Sequence, residues 1–354
     1  DVQALAELWR ITGETSCRDA FTSHWRTIRE FDRRNTGAFS GGEKATGNAF
    51  APTKIETCCT VAWMALSCDM LRLTGDPQVA DELELSTFNA ALGAQHPSGR
   101  WWTYNTPMDG VRKASAHDIV FQARAGSPEL NCCSVNGPRT LGMLSDWAVM
   151  RDDRGFTVNW LGPLEWSNND GSGAAVSLRC ETTYPLDGRI IWHITSDKPV
   201  RLRFRIPAWA EGAGTRIAGT AVTLKPGTYL EAARTWRDAD TVELLLPLKL
   251  RTFEGQQEQK GKISIYRGPL LLTYDQRDNA FDEAGIPPVE PARFSEAKLI
   301  PSSARSENLK APWLLLEVPT TNGPLRLSDF ASAGASGTRY RSWLPVAHTE
   351  ASRK

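Results

Sequence analysis

The chain has 354 residues, with 41 Lys plus Arg balanced by 41 Asp plus Glu and 41% apolar residues. That length suits about two domains, each with its own core, and a formal charge of zero gives no electrostatic case for nucleic acid or an anionic membrane as a partner. No apolar run approaches the ~20 residues that span a bilayer. Asp1-Val2-Gln3-Ala4 lacks the regions of a signal peptide, and it reads as a segment that begins inside a longer protein.

The first part of the chain has helical periodicity. Ala4, Leu5, Leu8 and Trp9 predict a short helix ending near Gly13, and Phe21, Trp25, Ile28 and Phe31 predict a second. Val61, Met64, Ala65, Cys68, Leu71 and Leu73 mark a third, which Gly75-Asp76-Pro77 stops. Val79, Leu83, Leu85, Phe88 and Leu92 mark a fourth. Pro138 suits the first turn of a fifth, with Leu141, Leu144 and Trp147 as its buried side. Gly-rich loops lie at 37–53 and 96–131. Five such helices do not close a common helical domain. Their apolar stripes would form a large exposed patch, so helices upstream or another chain, a second copy included, are expected to cover them.

After residue 155 the period becomes two. Val200 to Ile206 alternates without a break, which predicts a strand with one buried face and Arg201, Arg203 and Arg205 on the wet one. Strands are also expected over 175–180, 189–195, 241–246, 262–266, 270–274 and 313–318, with a hairpin turn at Asp187-Gly188. The polar stretch from Asp275 to Arg305 reads as an excursion between strands. The expected fold class is therefore α+β and multidomain: a helical domain over 1–150, then one or two β-sandwich domains over 151–354.

Seven cysteines stand at 17, 58, 59, 68, 132, 133 and 180. The count is odd, and the vicinal pairs cannot bridge themselves without strain, so a disulfide framework is excluded. Reduced thiols lean toward the cytoplasm, but metal-bound thiolates persist outside it, so the compartment stays open. A lone cysteine is most often a small buried hydrophobe, the plain reading of Cys17, Cys59, Cys68 and Cys180. Cys132-Cys133 sit in a polar loop and are less like core. With Glu56 and Cys58 they would make a Glu-Cys-Cys-Cys donor set for a tetrahedral metal. The spacing is not that of paired CxxC knuckles. Glu56 and Cys58 are two apart and converge only if that segment is the irregular start of a helix. Glu43 alone reads as a solvated loop residue. His24, His96, His117, His193 and His348 fall in no ligand spacing. Thirteen tryptophans suit a large core and sugar-stacking surfaces alike.

Four ordered segments resemble the motifs of glycoside hydrolase family 127, the β-L-arabinofuranosidases and their relatives. They are Phe39-Ser40-Gly41-Gly42-Glu43, Ile55-Glu56-Thr57-Cys58, Tyr104-Asn105-Thr106-Pro107, and Cys132-Cys133 with Asn136 and Arg139. Tyr184-Pro185, Arg205-Ile206-Pro207-Ala208-Trp209 and Arg267-Gly268-Pro269-Leu270 are similar to that family's β-domains. The resemblance implies the C-terminal helices of an (α/α)6 barrel followed by β-sandwiches, acting as a retaining glycoside hydrolase on an oligosaccharide or glycan. It implies Zn2+ held by Glu56, Cys58, Cys132 and Cys133, with Cys132 as nucleophile, Glu43 as general acid/base and Tyr104 as a substrate contact. The first half of the barrel, with its sugar-binding histidines, has no counterpart here. The loop from Glu43 to Glu56 is a few residues shorter than the family pattern, and Cys59 is an added thiol. The rival expectations are a structural zinc site, a non-catalytic carbohydrate-binding or scaffolding protein on the same fold, and a vicinal-thiol redox switch.

Overall fold

A computed structural model of the chain describes residues 2–112, 131–169, 171, 173–301 and 312–347. His117, His348, the later part of the 96–131 loop and the end of the 275–305 stretch lie outside the described residues. Helix and sheet are both present, helices early and strands late. No helix among the described residues is long and apolar enough to cross a membrane.

The periodic segments fold as helices. Val2–Thr12 ends at Gly13, whose positive φ of 73° suits a helix terminus, and Thr15–Phe31 follows. The first of these buries no residue, and Leu8, Ile11 and Phe31 are exposed. Phe21 and Trp25 turn inward, Trp25 stacking on Trp63 at 5.2 Å. Thr57–Thr74 forms the third helix. Pro77–Leu85 continues through a π-helical segment, Ser86–Ala91, to Leu92–Ala94. The wider π turn presents Asn89, whose Nδ2 donates to Pro269 O and whose Oδ1 accepts from Leu271 N.

The expected fifth helix is broken into Cys132–Asn136, Arg139–Gly142 and Leu144–Trp147. The first break falls at Pro138, which has no N–H to continue the helical ladder. Gly137 before it keeps helical angles, and a Cβ there would come within 2.3 Å of the Trp102 side chain, so only glycine fits. The buried side is Thr140, Met143 and Trp147, while Leu141 and Leu144 are only half-buried.

The chain divides into two compact units, one of Asp1–Leu66, Leu85–Leu141 and Leu250–Lys354, the other of Ser67–Glu84 and Gly142–Lys249. In the first, a nine-stranded sheet is built around Leu270–Asp275, every residue of which is buried. Its edge strand Asp109–Val111 pairs with Arg339–Arg341. Polar side chains fasten this sheet to the earlier segments of the same unit. Asn35 Nδ2 donates to Ser264 and Ser342 at 2.8 Å, and Tyr340 donates to Pro107 O at 2.5 Å. Half-buried Arg112 donates to the carbonyls of Gly93, Phe330 and Ala333.

In the second unit, a four-stranded sheet (Thr228–Arg234, Val200–Ile206, Gly155–Val158, Val149–Asp152) meets a six-stranded one that runs from Leu164–Asn168 to Thr220–Ala221. Trp192 against Phe204 and Phe156 against Trp166, each at 4.8 Å, join the two faces. Two expectations are corrected here. Val176–Thr182 and Arg189–Ser196 pair as a hairpin, but residues 183–188 connect them, not a two-residue turn. Arg205 is not on a wet face. It is fully buried, with Nη2 on Glu84 at 2.6 Å, Nη1 on Asp81 and Nε on Asn159 O at 2.8 Å. Alternation along one strand carries no information about a helix 120 or more residues away that covers its outer face.

Candidate active site

Four segments of the first unit meet at the site. Ile55–Thr57 runs extended against Tyr104–Thr106, with Thr57 N bonded to Tyr104 O at 2.9 Å and Thr106 N to Ile55 O at 3.0 Å. Helix Thr57–Thr74 starts directly from that pairing. Glu56 thus leaves from extended backbone and Cys58 from the first helical turn, which lets residues two apart converge. Cys132 and Cys133 open the short helix Cys132–Asn136, which Asn131 caps. The Asn131 side chain accepts from Ser134 N at 3.0 Å while Ser134 Oγ lies 3.2 Å from Asn131 N, a reciprocal capping box that fixes the pitch of both cysteines.

The donor atoms of Glu56, Cys58, Cys132 and Cys133 lie within 4.8 Å of one another. Cys133 Sγ is 3.3 Å from Cys58 Sγ, 3.6 Å from Glu56 Oε1 and 3.9 Å from Cys132 Sγ. A four-coordinate ion with bonds of about 2.3 Å to sulfur sets tetrahedral sulfurs about 3.8 Å apart. The three edges from Cys133, 3.3 to 3.9 Å, lie near that figure and the other donor pairs lie within 4.8 Å, so these residues could hold a metal. Glu56 and Cys133 are buried, Cys58 is half-buried and Cys132 is exposed.

The sulfurs do not share charge evenly. Cys58 is pulled down to about 6, chiefly because the Cys133 thiol donates to it, with Asn136 Nδ2 at 3.3 Å adding a second donor. Cys133 is pushed far up because its proton is committed to Cys58, and burial adds to this. Desolvation, then the neighbouring Cys58, also raises Cys132. Cys59 points its thiol at Glu56 Oε2, 3.4 Å away, and burial raises it to about 12. Cys68 and Cys180 are buried away from this cluster, as small hydrophobes.

Glu43 reaches the site from the 37–53 loop. Ser40 and Glu43 both have positive φ, 82° and 69°, a conformation that costs non-glycine residues energy and persists only where the surroundings impose it. Those surroundings start from buried Arg34, which donates to Asn48 O, Ala51 O, Thr46 Oγ1 and Thr53 Oγ1. Asp32 Oδ1 accepts from Thr46 N and Gly47 N. The Tyr104 hydroxyl then donates to Glu43 Oε1. Burial first, and the Glu43 carboxylate second, hold the Tyr104 phenol far above its ordinary value, so it stays a donor.

All six residues singled out from the sequence lie in this one unit. Among the described residues the histidines take no part: His24 is exposed, His96 stacks on Trp101 and bonds Ser98, and His193 pairs with Glu181. Asn136 and the Arg34–Asp32 lock have roles that spacing did not reveal. A lone Arg before a Gly-rich loop gives no signal until the loop's carbonyls are seen to converge on it.

The fold is that of glycoside hydrolases. Solved structures of a glycoside hydrolase and of a GH127 β-L-arabinofuranosidase from Geobacillus stearothermophilus T6 superpose on 98% of this chain with TM-scores of 0.80 and 0.79, each at 22% identity. The chain covers 65% and 59% of those structures. The profile of the GH127 β-L-arabinofuranosidase catalytic domain matches residues 2–146, and that of the GH127 middle domain matches residues 161–248. The chain belongs to glycoside hydrolase family 127. It is 25% identical over 302 residues to the non-reducing end β-L-arabinofuranosidase of Bifidobacterium longum subsp. longum, a match over 78% of this chain. The chain spans 45% of that relative's length.

Proposed function

We propose that this chain carries the site of a retaining, β-L-arabinofuranosidase-like glycoside hydrolase with a cysteine nucleophile, acting on an arabinofuranoside or related glycan. Its helices would be the C-terminal part of an (α/α)6 barrel, and its sheets the β-sandwich domains that follow. The observation that carries the reading is one cluster of three sulfurs and a carboxylate with only Cys132 exposed, in the same unit as a glutamate held in a costly backbone conformation. A purely structural metal site has no use for an exposed ligand or for such a glutamate.

Glu56, Cys58, Cys132 and Cys133 would hold zinc, which suits a thiolate-rich tetrahedral set. Zinc bound there would keep its sulfur ligands deprotonated near neutral pH. Cys132 Sγ attacks the anomeric carbon of the sugar while Glu43 gives its proton to the departing glycosidic oxygen. The sugar is then linked to Cys132 through sulfur. Glu43 next takes a proton from water, whose oxygen displaces the sulfur from the opposite face and restores the starting configuration. Tyr104, a fixed donor to Glu43, aims that carboxyl and contacts the sugar.

Replacement of the two reacting groups tests this. Cys132→Ser should lose at least about a thousandfold in turnover of nitrophenyl β-L-arabinofuranoside with the circular dichroism spectrum unchanged. Glu43→Gln should lose about 10²- to 10⁴-fold on substrates with alkoxide leaving groups and far less on the nitrophenyl substrate, which needs little protonation. Full turnover by Cys132→Ser rules out the nucleophile, and equal losses on both substrates for Glu43→Gln rule out the acid.

A further inference from the structure

Backbone bonds between Thr57 N and Tyr104 O and between Thr106 N and Ile55 O flank the opposed residues Glu56 and Asn105. That makes Glu56 and Asn105 a non-hydrogen-bonded antiparallel pair. In such a pair the Cα atoms come within about 4.5 Å and both side chains leave on the same side. Asn105 is 1% exposed and Glu56 4%. Neither Nδ2 nor Oδ1 of Asn105 has a hydrogen-bond partner among the described residues. A buried amide with both ends unspent is costly, and native proteins seldom keep one without a use for it.

The need lies on the other side of the pair. Glu56 Oε1 faces the Cys133 thiol at 3.6 Å and Oε2 faces the Cys59 thiol at 3.4 Å. Both are weak donors, and the Cys133 proton must leave before its sulfur can bind a metal. A carboxylate ligand holds its direction when its other oxygen is hydrogen-bonded by a neighbour.

We propose that Asn105 is that neighbour: a positioning residue whose Nδ2, unspent here, is set to donate to the Glu56 carboxylate once a metal has displaced the thiol protons, and so aims it at the metal. The inference rests on the zinc reading above. Its consequence is that metal affinity depends on a residue that touches neither metal nor sugar.

Asn105→Asp removes the N–H at constant shape and sets a second negative charge beside Glu56, while Asn105→Ser removes the amide. Zinc affinity is measured by competition with a chromophoric chelator, and the cobalt(II) form is examined for its thiolate-to-metal absorption. Both variants should bind zinc about 10- to 100-fold more weakly, Asn105→Asp the more so. The cobalt band should shift, and the thermal midpoint of the metal-free protein should not move. Unchanged zinc affinity in the variants beside a wild type that binds one zinc per chain overturns this inference and leaves the zinc reading standing. A lowered metal-free midpoint with unchanged affinity also overturns it, making Asn105 a packing residue. A wild type that binds no zinc overturns both readings. The two variants are scored separately, so one that fails to fold leaves the other decisive.

Discussion

Two buried polar clusters in this chain are built in opposite ways. In the second unit, Arg205 spends every nitrogen on the protein itself, with Asp81, Glu84 and the Asn159 carbonyl as acceptors. Asp81 accepts a further bond from Ala208 N, and Asn159 is held by Tyr229. Burial opposes the Arg205 charge, yet attraction to Glu84 and Asp81 outweighs it and the guanidinium is raised. In the first unit, Glu56 and three cysteines face one another with weak thiol bonds, and alongside lies an amide with no partner among the described residues. A cluster built on a guanidinium whose three nitrogens all meet acceptors holds up a fold. A cluster whose donors converge and stay under-bonded is arranged for something that arrives from outside.

The largest effect on stability should come from breaking the closed cluster. Arg205→Met strands two carboxylates that burial already pushes upward, and it should cost about 3–5 kcal/mol in denaturant unfolding, with or without metal. Gly137→Ala tests the packing that shapes the open cluster. Its Cβ has no room beside Trp102, and a cost of about 1–3 kcal/mol is expected, with weakened zinc binding because Cys132 and Cys133 lie on the turn just before it. The smallest effect should come from opening the metal set itself. Cys58→Ser should shift metal-free stability by less than about 1 kcal/mol while abolishing the gain that added zinc is expected to give the wild type. If Cys58→Ser cost the metal-free protein as much as Arg205→Met, the contrast between the clusters would collapse.

Much of the architecture was legible where one period ran unbroken. The helices at 2–12, 15–31 and 57–74 bury or align residues at helical spacing. The strand Val200–Ile206 follows its alternation. What escaped was short or decided by distant partners. Val149–Asp152 and Arg339–Arg341 are too brief to carry a period. Gly323–Asp329 opens with two exposed residues, Gly323 and Pro324, that mask its buried run. Arg205 looked exposed because its acceptors belong to residues 81 and 84. The site was less legible than the fold. Spacing alone could not gather residues 56, 58, 132 and 133, since their convergence depends on a cap at Asn131 and on strand pairing at Tyr104. Family resemblance gathered them instead. It set Asn105 inside the motif Tyr104-Asn105-Thr106-Pro107 but gave it no role.

The left-handed backbone at Ser40 and Glu43 has a practical consequence for genetics. Gly41, between them, packs against Thr46 and Thr53, two of the residues whose oxygens Arg34 gathers. On the mechanism proposed above, a screen scored on turnover alone should return position 34 beside position 43, as if the arginine belonged to the chemistry. Only a titration with an unreactive sugar would sort the residue that reacts from the one that holds its loop in shape.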